Sequence, residues 1–203
     1  MNFLSSLKGH VSETLIKILF ERAGYRVTRF GIEELFQEII HLDKKQYEKL
    51  ALPKNLRTLP DLLVADNVIE KAFLLEVKFR KELNEKTLFS LHSNLCVQHK
   101  YWPETYTILL IGKARCDEYK YHQDYIRVLR PGELDKLKPS EWLVKQSRPE
   151  NIGYHVWKNL SMLQEVFEKF KGGNTDNADL ITKTLRDLGA INDEKPNRVT
   201  GGL

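Results

Sequence analysis

Apolar residues near the start of the chain recur at spacings of three and four, at Phe3, Leu4, Leu7, Val11, Leu15 and Ile18, and this stripe predicts a helix over Phe3–Arg22. A second row, Gly9, Glu13, Ile16 and Phe20, runs nearly opposite the first, so the helix is expected to be covered on two sides. Gly24 supplies its break, and residues 25–30 alternate β-branched and aromatic positions as a strand does. Leu35, Phe36, Ile39, Ile40 and Tyr47 predict a further helix over 33–50, and Pro53 and Pro60 bracket a loop. Residues 61–66 and Lys71–Arg80 are apolar runs separated by Asn67, a turn former, and read as a hairpin. A helix is predicted over 87–102. The unbroken apolar run 106–111, closed by Gly112, predicts a strand covered on both faces, and 125–129 adds another strand. Beyond Pro131 the pattern is mostly helical, through Trp142 and then over 156–170, until Gly172, Gly173 and Asn174 interrupt it. Leu180, Ile181, Leu185 and Leu188 form a short amphipathic piece, and the polar, Gly-rich end from Asn192 is expected to fray. Residues 1–170 are thus expected to be one domain, and 171–203 a short helix with a flexible tail.

With 203 residues the chain suits one domain with modest appendages. No apolar run approaches the roughly 18 residues that a membrane span requires, so no membrane association is expected. Near the start Lys8 stands alone as a cation and the apolar residues are spaced, unlike a secretory signal, which points to the cytoplasm. Cys96 and Cys116 match neither a zinc site nor a disulfide framework and are expected to be reduced and structural. The 32 basic residues exceed the 28 acidic ones by four, a bias that permits nucleic-acid binding without demonstrating it.

The chemistry gathers on the predicted hairpin. In the second strand Phe73, Leu75, Val77 and Phe79 share one face, while the other face runs Ala72, Leu74, Glu76, Lys78, Arg80 and so emerges from apolar surroundings at a carboxylate and an ammonium. An antiparallel hairpin sets the start of one strand beside the end of the next, which brings Asp61 to Glu76. Two carboxylates about 4 Å apart repel by roughly 4 kcal/mol at an effective dielectric near 20, so the pair calls for a proton or a cation. Mg²⁺ accepts one or two carboxylates and keeps waters that a phosphate can displace. Lys78 beside it is suited to orient a water or to stabilise charge developing on phosphate.

Pro60-Asp61, then Glu76-Val77-Lys78 fifteen positions on, with Glu13 on an upstream helix, resembles the PD-(D/E)XK nuclease superfamily over about residues 5–130. The resemblance implies an α/β, restriction-endonuclease-like core, a mixed central sheet flanked by helices, with extra helices mainly C-terminal. It also implies Asp61, Glu76 and the Val77 carbonyl as metal ligands, Lys78 as the catalytic lysine, and Glu13 as an acid reaching the metal or its waters. Some subfamilies carry a glutamine four positions before a tyrosine on the following helix. Here Gln98 lies three before Tyr101 and four before Trp102, so it is taken as an accessory residue.

Arg80, Lys81, Gln98 and Lys100, with Lys113 and Arg115, are the expected nucleic-acid contacts. His92, His99 and His122 lack the spacing of a zinc protease helix, and Tyr101, Trp102 and Tyr106 are expected to be core. The expectation is a Mg²⁺-dependent nuclease, with Mn²⁺ as a substitute, that hydrolyses DNA as an endonuclease, a homodimer allowing both strands to be cut. The alternative is a nucleic-acid-binding or assembly subunit that keeps the fold without turnover. A third reading, a structural domain with a chance motif, requires the carboxylates to lie apart.

Overall fold

The structure, a computed structural model, describes residues 3–36, 38–39, 42, 44–66, 68, 70–112, 125–138, 152–171, 183–184, 187–188 and 190. The expectations for Lys113, Arg115, Cys116, His122, Trp142 and the end of the chain from Asn192 lie outside these residues, as does most of the short helix expected near Leu180. No helix among the described residues is long and apolar enough to cross a membrane.

Helix α1 (Phe3–Arg22) leads into strand β1 (Arg26–Arg29), and α2 (Ile32–Leu35), α3 (Lys44–Lys49) and α4 (Lys54–Arg57) follow. The hairpin of β2 (Leu62–Asp66) and β3 (Lys71–Arg80) comes next, then α5 (Glu85–His99), β4 (Thr105–Ile111) and β5 (Ile126–Leu129). A 3-10 turn (Leu134–Leu137), α6 (Ile152–Asn159), α7 (Leu163–Val166) and a 3-10 turn (Glu168–Phe170) follow, and the described residues 183–184, 187–188 and 190 are helical, with Leu188 buried. The strands form one open mixed sheet in the order β1-β2-β3-β4-β5. The β1–β2, β2–β3 and β4–β5 pairs are antiparallel, whereas β3 and β4 are parallel. A parallel pair needs a crossover, and α5 provides it. The fold is α/β, as expected.

Strand β4 has six of its seven residues buried, which suits its mostly apolar sequence, with Thr105 and Thr107 the buried polar members. Helix α5 starts at Asn84, whose side chain accepts from Thr87 N at 2.9 Å while Thr87 Oγ1 accepts from Asn84 N at 2.8 Å. Leu88, Leu91 and Leu95 then point from α5 into the core. An aromatic cluster of Phe20, Tyr25, Phe73, Tyr106, Phe167 and Phe170 ties α1 and the last described turn to the sheet.

Four expectations differ from the structure. Helix α1 is covered on one side: Ile16 and Phe20 are buried with Lys8 and Ser12, whereas Leu7 and Ile18 of the first row are exposed, because the sheet takes a single face. The helix over 33–50 is divided, since Leu35 and Phe36 are exposed and supply no packed stripe to carry it across to Lys44. The helix over 156–170 is interrupted at Ser161, whose N–H donates to Val128 O at 3.1 Å and whose carbonyl accepts from Val128 N at 2.8 Å, so edge pairing replaces a helical turn. Cys96 is a free thiol, as expected, but is exposed on α5, 3.6 Å from His92 Nε2, and so does not fill the structural role expected of it.

Candidate functional site

The register of the hairpin assembles the site. Leu62 faces Leu75, so Asp61 stands one step beyond, opposite Glu76. Asp61 carbonyl accepts from Phe30 N at 2.9 Å, and its carboxylate Oδ2 accepts from Val77 N at 2.7 Å, which pins the side chain at the mouth of the strand pair. On β3 the residues facing the apolar interior are Leu75 and Val77, and alternation turns Glu76 and Lys78 to the opposite face.

Glu76 is only 6% exposed, and its two oxygens are engaged by different elements. Oε1 is ion-paired with the Lys78 ammonium. Oε2 accepts from Gln98 Nε2, which also donates to Thr58 O at 3.4 Å. Because the amide nitrogen must face the carboxylate, Gln98 Oε1 points elsewhere and, like the hydroxyl of Thr107, is buried without a protein partner among the described residues. Thr107 is Glu76's register partner on β4 and shares its face.

These charges perturb one another. Burial, and then the Glu76 carboxylate, push the Asp61 carboxyl well above the ordinary range, against the pull of Lys78 and the Val77 N–H. Burial pushes the Lys78 ammonium down, but Glu76 and Asp61 outweigh it and leave Lys78 more basic than a free lysine. Burial also raises Glu13, with His10, Lys78 and Arg29 opposing. His99, at the end of α5, is lowered by burial, with Glu76 acting the other way.

Asp61, Glu76 and Lys78 are therefore brought together. Glu13 adds its field to Asp61 from α1 and feels that of Lys78, although among the described residues no three His, Cys, Asp or Glu side chains are drawn into one metal-binding set. Val77 has a buried side chain and contributes its N–H to Asp61. Arg80 lies on the face of Lys78, half-buried, and donates from Nη1 to Phe79 O at 2.8 Å. Lys81 and Lys100 are exposed. Gln98 departs from the expected contact with nucleic acid, since it is 5% exposed and its amide serves Glu76. Trp102 donates from Nε1 to Asn55 O at 3.0 Å and packs edge-on against Phe30, and Tyr106 lies in the aromatic cluster.

Sequence reasoning missed Thr107 and His99 as neighbours of Glu76. The signal for the first was present, because Thr105 and Thr107 interrupt an apolar strand at alternate positions, both on one face. His99 follows Gln98 directly, and its burial at 9% depends on how α5 packs.

The donor set fits a hard divalent cation. Asp61 and Glu76 are oxygen donors of the kind such an ion takes, and Asp61 Oδ1 has no hydrogen-bond partner among the described residues, whereas both Glu76 oxygens are held, by Lys78 and Gln98, and one of those donors must yield for Glu76 to bind it. No family model, curated protein or solved structure matches the chain.

Proposed function

We propose that the protein is a metal-dependent nuclease of the PD-(D/E)XK type, with a restriction-endonuclease-like core, acting on DNA as an endonuclease. The observation that carries this reading is the convergence of Asp61, Glu76 and Lys78 at the end of one hairpin, two carboxylates that repel and a lysine on the same face. Asp61, Glu76 and the Val77 carbonyl would hold Mg²⁺ or Mn²⁺, with Glu13 reaching it through waters. When bound, the ion neutralises the carboxylates and the phosphate and acts as a Lewis acid. Lys78, kept charged by the two acids, holds the attacking water and stabilises the charge that gathers on phosphorus oxygens. Gln98 orients the Glu76 carboxylate and the Val77 N–H orients that of Asp61, and binding of the ion exchanges one donor on Glu76 for the metal. A second copy of the chain is required to cut both strands in one encounter.

Incubation with plasmid, linear, single-stranded and four-way-junction DNA, in Mg²⁺ or EDTA, tests the reading. The expected result is cleavage in Mg²⁺ that EDTA and Asp61→Asn abolish, together with Mn²⁺ binding in calorimetry that the same substitution removes. Equal Mn²⁺ affinity in both proteins would refute the assignment. One feature favours the non-enzymatic alternative: protein donors already occupy both Glu76 oxygens. That alternative predicts DNA binding that is indifferent to metal, without cleavage.

A further inference from the structure

One stretch of fifteen residues is strongly basic. Residues 44–58 carry Lys44, Lys45, Lys49, Lys54 and Arg57 against Glu48 alone, a local balance of +4, which equals the balance of the whole chain. The other 188 residues therefore sum to zero, with 27 basic and 27 acidic side chains. These fifteen residues are α3, α4 and their flanks, the second part of the segment between β1 and β2; its first part, with α2, is acidic and carries Glu33, Glu34, Glu38 and Asp43.

The fold attaches the segment to the site. Thr58, its last residue, accepts through its carbonyl from the same Gln98 nitrogen that donates to Glu76. Asn55 O accepts from Trp102 Nε1 at 3.0 Å, a second tether to the end of α5. Within the segment the Arg57 guanidinium lies over the Tyr47 ring at 5.2 Å and donates to Glu48 O at 3.5 Å, which links α4 to α3. Lys45, Lys49 and Lys54 are exposed and make no ion pair among the described residues. By contrast, Lys17, Lys136, Lys138 and Lys171 each sit on a carboxylate three or four residues away.

At the site Asp61 and Glu76, with the field of Glu13 on α1, are set against Lys78 and the half-buried Arg80, so the site itself offers a phosphate chain no excess of positive charge. We propose that residues 44–58 are a backbone clamp that holds duplex DNA across the site through Lys45, Lys49 and Lys54, an inference that rests on the nuclease reading above. The clamp touches phosphates and not base edges, so it contributes affinity that is independent of sequence and sensitive to salt.

The test is fluorescence anisotropy of a labelled 20-base-pair duplex, with Ca²⁺ replacing Mg²⁺, from 50 to 200 mM salt. Each phosphate that the protein no longer neutralises lowers the slope of log K against log salt by about 0.9, so the K45Q/K49Q/K54Q variant is expected to lower it by about 2.7. Over that fourfold salt range the wild type then loses about fortyfold more affinity than the variant. A control variant, K136Q/K138Q/K171Q, matches the change in net charge and should keep the wild-type slope. Circular dichroism checks that both fold. Equal slopes for the wild type and K45Q/K49Q/K54Q, with duplex binding intact, would overturn the clamp and leave the nuclease reading standing. Absence of duplex binding by the wild type at every salt concentration would remove the nuclease reading and the clamp with it. Binding to phosphatidylserine vesicles but not to duplex, abolished in K45Q/K49Q/K54Q, would assign the segment to a membrane surface and overturn the proposal.

Discussion

Replacing Asp61 by Asn should make the metal-free protein more stable at neutral pH. Asp61 and Glu76 stand on neighbouring antiparallel strands, and carboxylates about 5 Å apart repel by roughly 3 kcal/mol at an effective dielectric near 20. Lys78 offsets part of this through its pairing with Glu76, while burial of Asp61 adds to the cost. Asparagine keeps an oxygen for the Val77 N–H and sheds the charge, so a gain of about 1–2 kcal/mol is expected, or roughly 3–6 °C in Tm for a chain of this size. The pH dependence fixes the sign. Because the Asp61 carboxyl titrates higher in the folded state than in the unfolded chain, the native state binds more protons, and the wild type recovers stability as pH falls through the folded value toward about 4. The advantage of the variant should thus be full above the native Asp61 pKa and shrink on acidification. Thermal unfolding followed by circular dichroism in EDTA, between pH 5 and pH 8, measures it. Mn²⁺ at about a hundred times its Kd should then add about 2.7 kcal/mol to the wild type alone and invert the order. An asparagine variant less stable at pH 8, or an advantage that does not change with pH, would refute the account of this pair.

Lys78→Ala should lower the rate of metal-dependent cleavage by about a hundredfold or more, the scale of losing a preorganised charge, with a much smaller change in DNA binding. Turnover within a few-fold of wild type would make Lys78 a surface charge only. Gly153→Ala should cost about 2–3 kcal/mol in urea unfolding, because a Cβ at this position in α6 would lie 1.9 Å from the Leu83 carbonyl oxygen and backbone cannot yield cheaply. An unchanged midpoint would show that α6 does not press on the β3–α5 connection.

The hairpin was legible because its two signals agree: alternation along Lys71–Arg80 and a turn residue between two apolar runs place Asp61 against Glu76 with only one register open to them. Strand β4 was legible from its mostly apolar run closed by Gly112, and helix α5 from the helical character of residues 87–102. What failed was continuity. Periodicity cannot tell one long helix from two short ones when the stripe finds no partner, as at Leu35 and Phe36, nor anticipate that Ser161 would leave its helix to pair with Val128. The reach of Gln98 to Glu76 depends on the path of α5 over the sheet, a tertiary fact with no local signature. The positive segment 44–58 was visible as composition, but its hydrogen bonds to Gln98 and Trp102 were not.

The strands of the sheet follow one another in chain order, and this bears on how the molecule folds. Asp61, Glu76, Lys78 and Gln98 fall within 38 consecutive residues, formed by one hairpin and one crossover, while Glu13 alone arrives from a distant helix. Hairpins close in about 1–10 μs, well before long-range docking, so the two acids meet while most of the chain is still uncollapsed. Their repulsion then falls on the folding barrier as well as on the native state. Metal or mild acid present during refolding would act at that early step and speed folding, and unfolding rates would record only the remainder.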